Sequence, residues 1–176
     1  MITRKSLFFI FIFALITFQC SVDRSAIKPV QNGIQLETKR LNIKVQFYDD
    51  ASVRIVKWIP EGSPEKLSLA VIQDSLPDLQ VNIKDKSGHI KVFSSKITLR
   101  ISKKHGRIEY FTHNKEIILN ENGKPVFTPV EYGEDKTFSI RQNFKLAHDE
   151  GIYGLGQHQY GYMNYRGRTV TLVQTN

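Results

Sequence analysis

A chain of 176 residues that is 40% hydrophobic and 11% aromatic is long enough to bury one core and too apolar to remain disordered. Its formal charge of +8 raises the prospect of a polyanionic partner, because clustered cations release counterions from phosphate backbones. The cations are not clustered: in "KDKSGHIKVFSSKITLRISKK" they alternate with apolar residues, the pattern of solvated strand faces, so no nucleic-acid partner is expected.

The first twenty residues, "MITRKSLFFIFIFALITFQC", have a basic start followed by twelve apolar or small residues from Leu7 to Phe18. That run is shorter than the roughly 20 residues that cross a bilayer as a helix, so residues 1–20 read as an export signal. Cys20 is the only cysteine and stands where the apolar run gives way to polar "SVDRS". A lone cysteine makes no internal disulfide, and this position is where a bacterial lipoprotein carries its acylated cysteine. Gln19 departs from the small residue usual before such a cysteine, so an ordinary cleaved signal is the alternative. Either reading places the mature protein outside the cytoplasm, in the periplasm or at the outer membrane or cell surface, with a lipid anchor as the only membrane contact.

Residues 21–32 read as a polar linker, and residues 33–176 as one domain. In "LNIKVQFY" Leu41, Ile43, Val45 and Phe47 share one face while Asn42, Lys44 and Gln46 point the other way, as in a half-buried strand. The turn residues "DDAS" and the run "VRIVKW" complete a predicted hairpin. Strand patterns recur in "LQVNIKD", "HIKVFSS", "KITLRIS", "GRIEYFT", "KEIILNE", "FSIRQNFKL" and "RTVTLVQ", separated by "KSG", "KKHG", "HN" and "ENGK". The segment "GSPEKLSLAVIQ" reads equally as a helical turn or as an irregular crossing. Short strands, frequent turns and no convincing amphipathic helix predict an all-β fold, an antiparallel β-sandwich.

Most catalytic patterns are absent. His89, His105, His113, His148 and His158 lie nowhere within three or four residues of one another, so neither a metal site nor a cofactor is expected. "GLGQHQYG" begins like a dinucleotide loop, but the third glycine would fall at Gln159, with no strand-to-helix unit around it. There is no G-x-S-x-G. Asp149 and Glu150 are adjacent in sequence, so they read as solvated loop formers rather than as carboxylates flanking a bond. The last 26 residues, Gly151 to Asn176, hold five of the eleven glycines and four of the seven tyrosines, without a carboxylate.

That stretch carries a resemblance. "FKLAHDEGIYGLGQHQYGYMNYRGRTVTLVQTN" is similar to the segment of glycoside hydrolase family 31, the α-glucosidases and α-xylosidases, where the N-terminal β-sandwich runs up to the catalytic barrel. "YGLGQ" stands at the family's YGLGE or YGLGQ signature, and "MNYRGRTVTLVQTN" resembles the continuation in exported Bacteroidetes-type members. Upstream, "LNIKVQFYDDASVRIVKW" and "EYFTHNKEIILNENG" are similar to earlier strands of that sandwich, so the resemblance covers about residues 30 to 176.

The resemblance implies a galactose mutarotase-like sandwich beside a (β/α)8 catalytic domain, whose aspartates perform a retaining displacement on an α-linked xylosyl or glucosyl oligosaccharide. The family's nucleophile lies in a W-x-D-M-x-E type motif. The one tryptophan here, Trp58 in "VKWIPEG", does not match it, and the chain alone is expected to be inactive. The loop "YGLGQHQYGYMNYRG" is then expected to reach over the neighbouring domain's pocket, with Gln159, Tyr160, Met163, Asn164 and Arg166 as candidate substrate contacts. Tyr160, Tyr162 and Tyr165 either stack on sugar faces or fill the interior. The alternative reading is a stand-alone exported carbohydrate-binding or assembly module, since an aromatic loop on a sandwich binds glycans without catalysis.

Overall fold

The structure, a computed structural model, describes residues 26–64, 71, 75–156 and 161–172. Twelve strands lie among them, all paired antiparallel. The first sheet orders β1 (Ala26–Val30), β2 (Gly33–Glu37), β3 (Asn42–Phe47) and β4 (Val53–Trp58) as neighbours in chain sequence. The second is built from β5 (Asn82–Asp85), β6 (His89–Phe93), β7 (Ile97–Ser102), β8 (Ile108–Thr112) and β9 (Ile117–Glu121), closed on the β9 side by β12 (Phe144–Lys145). Between β9 and β12 the chain leaves to form a separate ribbon, β10 (Val126–Tyr132) with β11 (Asp135–Arg141).

Period-two patterning decides which residues meet. Ile34, Leu36, Leu41, Ile43, Val45 and Phe47 of the first sheet pack against Ile90, Val92, Leu99, Ile101 and Ile108 of the second, and all are buried. Burial of each large apolar side chain contributes roughly 1.5–3 kcal/mol, so this facing set supplies most of the drive for folding. The expected burial of Leu41, Ile43, Val45 and Phe47 is therefore met. Lys44 and Gln46 point away from the core as expected but are half-buried, because β3 is a central strand flanked by β2 and β4.

The predicted hairpin forms between β3 and β4, with Phe47 opposite Val53. Its turn is shaped by the Asp49 carboxylate, which accepts from the Ala51 and Ser52 amides at 2.6 and 2.8 Å. Gly33 sits where β2 crosses β3, and a Cβ there would lie 1.9 Å from the Val45 carbonyl oxygen. Only glycine lets the two backbones approach so closely.

Several sequence expectations are corrected. Residues 26–30, expected within a linker, form β1 on the edge of the first sheet; Pro29 there is compatible with an edge strand. Pro129 interrupts the pattern of the ribbon strand β10, so the sequence does not announce it. "FSIRQNFKL" is not one strand: β11 ends at Arg141 and β12 begins at Phe144 in a different sheet. Of "LQVNIKD" only Asn82–Asp85 is strand, and residues 168–172 of "RTVTLVQ" form none. Most of "GSPEKLSLAVIQ" lies outside the described residues.

One core position breaks the apolar pattern. Lys57 is paired with Ile43, whose side chain faces the core, so Lys57 points inward as well. Its ammonium meets both oxygens of the Glu121 carboxylate at 2.6 Å, and the two side chains are only 10% and 4% exposed. Glu121 Oε2 also accepts from the Ile108 amide at 2.8 Å. Gln142 Oε1 lies 3.4 Å from the same ammonium. The first sheet is thus tied through one ion pair to β9 and to the link between β11 and β12. Burial pushes the Lys57 ammonium's pKa down, and Glu121 opposes that shift. Burial together with the Glu121 charge pushes the neighbouring Tyr110 phenol well above its ordinary range.

Lys57→Met is expected to destabilise the sandwich by about 3–5 kcal/mol in denaturant unfolding, because it leaves a buried carboxylate unpaired. Adding Glu121→Gln should recover most of the loss, since the carboxamide carries no charge and still accepts from Ile108. Equal stability of the single and double variants would count against the ion pair as the cause. A second prediction concerns acid. Arg100 hydrogen-bonds Glu109, and this bond holds the Glu109 carboxyl below its usual 4.5. The stabilisation is complete above that value and fades as pH falls through the lower folded-state pKa. Unfolding curves of wild type and Glu109→Gln should therefore differ at neutral pH and converge in acid.

Candidate functional site

The described residues from 146 onward, within the stretch singled out by sequence, form an irregular loop system pinned back onto itself. At its entry the Glu150 carboxylate accepts from the Ala147 amide at 2.8 Å, and the Glu150 amide donates to the Ala147 carbonyl at 3.3 Å. Asp149 and Glu150 are both exposed, so they shape and solvate a turn, as expected. The "YGLG" signature follows. Gly154, Leu155 and Gly156 have φ of 88°, 57° and 90°, three consecutive left-handed residues. Glycine adopts that conformation without penalty, whereas Leu155 holds it at a cost.

Two of the candidate substrate contacts organise the loop itself. Asn164 Oδ1 accepts from the Ile152 and Arg166 amides, each at 3.0 Å. Arg166 Nη1 donates to the Ala147 carbonyl at 2.7 Å and to the Glu150 carbonyl at 2.5 Å. The Tyr165 amide donates to the Ile152 carbonyl at 2.8 Å, so residues 147–152 and 164–166 run as one unit. Apart from the Asn164–Arg166 bond, these partners lie twelve to nineteen positions apart, so the sequence shows the residues without their use.

The tyrosines separate by burial. Tyr165 is 6% exposed and is interior filler. Tyr162 is half-buried and packs edge-on against it, with ring centroids 5.3 Å apart. The Arg168 guanidinium lies 4.9 Å above the Tyr162 ring centroid. Met163, between the two tyrosines, is 81% exposed. Gln159 and Tyr160 lie outside the described residues, as does Cys20. The loop therefore carries the exposed Met163 side chain beside a ring held by Tyr165 and Arg168.

A concavity of about 390 Å³ is lined by Asp50, Asp78, Leu79, Gln80, Asn82, Ser94 and Ser95. Its lining holds no aromatic ring to stack on a sugar face. Its one buried member, Ser94, is committed to the fold: it donates to the Asp50 carbonyl and accepts from the Lys96 and Ile97 amides. Among the described residues no three His, Cys, Asp or Glu side chains gather as metal ligands.

Known proteins place this architecture. The α-xylosidase of Saccharolobus solfataricus is 27% identical over 152 residues, covering 77% of this chain and 19% of that protein. The crystal structure of a glycoside hydrolase 31 α-xylosidase from Xanthomonas citri superposes with a TM-score of 0.72 at 24% identity, over 85% of this chain and 16% of that one. A second such α-xylosidase, from a soil metagenome and complexed with xylose, gives 0.68 at 18% identity, over 86% of this chain and 25% of that one. This chain thus spans about a fifth of the length of the curated relative. The family model for the glycosyl hydrolase 31 N-terminal galactose mutarotase-like domain matches residues 42–176, and the chain belongs to that family.

Proposed function

We propose that the chain serves as the non-catalytic N-terminal sandwich of an α-glycosidase acting on α-xylosides or α-glucosides. In this reading it supports a (β/α)8 catalytic domain and lends residues 151–172 to that domain's substrate pocket. The observation that carries the reading is the pinned loop, which spends Asn164, Arg166 and Tyr165 on rigidity while leaving Met163 81% exposed. A tip held this firmly loses little entropy on meeting a ligand. The α-xylosidase names of the relatives favour a xylosyl group over a glucosyl one. Met163, Asn164 and Arg166, together with Gln159 and Tyr160, are the proposed substrate contacts of this loop. Export follows from the leader, with Cys20 as the lipid attachment point.

The purified chain is expected not to hydrolyse aryl α-xylosides or α-glucosides. A retaining displacement needs a nucleophile and an acid about 5 Å apart, and the family's nucleophile motif does not occur in this sequence. Turnover that survives repurification and scales with chain concentration would overturn the reading. Arg166→Ala should speed amide hydrogen exchange across 147–152 while leaving the melting temperature of the sandwich within a few degrees, because the bonds it removes are exposed. In a bacterial host, Cys20→Ser should release the protein from the membrane fraction, since stable anchoring depends on more than one acyl chain at that cysteine. Equal partitioning of the two forms would argue against lipidation.

A further inference from the structure

Apolar exposure is distributed unevenly along the chain. Fourteen large apolar side chains are exposed among the described residues, and ten of them lie between Val126 and Leu172. Among the described residues from 126 onward Tyr165 alone is buried. A segment that orders its backbone without burying apolar surface has little to offset the lost entropy.

The deficit is greatest in the β10–β11 ribbon. It is a two-stranded sheet of its own, and every residue of β11 is exposed. Phe127 lies opposite Ile140 and Pro129 opposite Phe138, so these four share one face. Phe127 turns toward the core, with Phe138 edge-on to it at 6.4 Å, leaving Phe138 40% and Ile140 64% exposed. Isolated two-stranded ribbons are marginal in water, and an open apolar edge invites pairing.

Taking the proposed function as its premise, we propose that this ribbon is the principal seat of the catalytic domain, with Phe138 and Ile140 as its buried anchors and Phe144 and Leu146 extending the contact toward the loop. Three observations select that occupant. The solved α-xylosidases that share the fold are longer, this chain covering 16% and 25% of them. The exposed apolar residues run along the chain from the ribbon into the loop of the proposed pocket: Phe144 and Leu146 are exposed, and Leu146 precedes Ala147, whose carbonyl accepts from Arg166. Residues 126–172 carry five cations and five carboxylates, so recognition rests on apolar shape rather than on attraction to a polyanion.

The test uses the 176-residue chain, its Phe138→Asp/Ile140→Asp variant and Ile83→Asp as a control at another exposed apolar site. The probe is the Xanthomonas citri α-xylosidase lacking the part that corresponds to this chain. Because both mutated side chains are already exposed, the double variant should melt within a few degrees of wild type. Wild type and Ile83→Asp are expected to bind hydrophobic dye and to gain hydrogen-exchange protection over 126–146 when the probe is added. The double variant should lose most of both. Protection confined to 151–172 and indifferent to the double variant would overturn the ribbon as the seat while leaving the proposed function standing. A discrete dimer of the chain abolished by the double variant would also overturn it, assigning the face to a second copy. No protection anywhere would overturn the proposed function and the ribbon together.

Discussion

The buried pair between Lys57 and Glu121 is the point on which the layers of this fold are registered. Apolar contact between the two sheets is strong but non-directional, and a sandwich held by it alone tolerates sliding. A lysine in the inter-sheet space has one acceptable partner, and moving it leaves two charges desolvated. Glu121 also takes the Ile108 amide, so the carboxylate fixes the junction of β8 and β9 at the same time. Gln142 brings in the chain just after the β10–β11 ribbon. Sheet one, sheet two and the root of the ribbon are therefore positioned by one charged group.

From that root the molecule changes character. Up to Glu121 the inner strands β2, β3, β6, β7 and β8 bury their apolar faces against each other. Beyond it, order comes from local hydrogen bonds: Arg166 to the Ala147 and Glu150 carbonyls, Asn164 to the Ile152 amide, Glu150 to the Ala147 amide. Such bonds shape a backbone but contribute only about 0.5–1.5 kcal/mol each, less than a core does. A region built this way is suited to presenting groups to a neighbour. That division between a packed sandwich and a presented loop supports the role proposed above.

The loop also shows a structural use of polar side chains that residue type alone does not reveal. Asn and Arg among tyrosines and glycines read as hydroxyl donors, and in the structure Asn164 Oδ1 and Arg166 Nη1 serve backbone groups of their own loop. Tyr165 and Tyr162, three residues apart, divide into a buried support and the ring it supports.

The sequence by itself determined the fold class, the inward face of β3, the hairpin at Asp49 and, through "YGLGQ", the family. Each of these is a local or period-two property, written in neighbouring residues and in a motif. Only the tertiary structure decided that residues 26–30 form an edge strand, that "FSIRQNFKL" divides between two sheets, and that Lys57 points into the core. The edge strand pairs with β2 through a tight turn at residues 31–32, and Pro29 interrupts the pattern that would reveal it in the sequence. Strand division and the neutralisation of an inward charge depend on Asn120 and Glu121, which are distant along the chain and adjacent only once the sheets have closed.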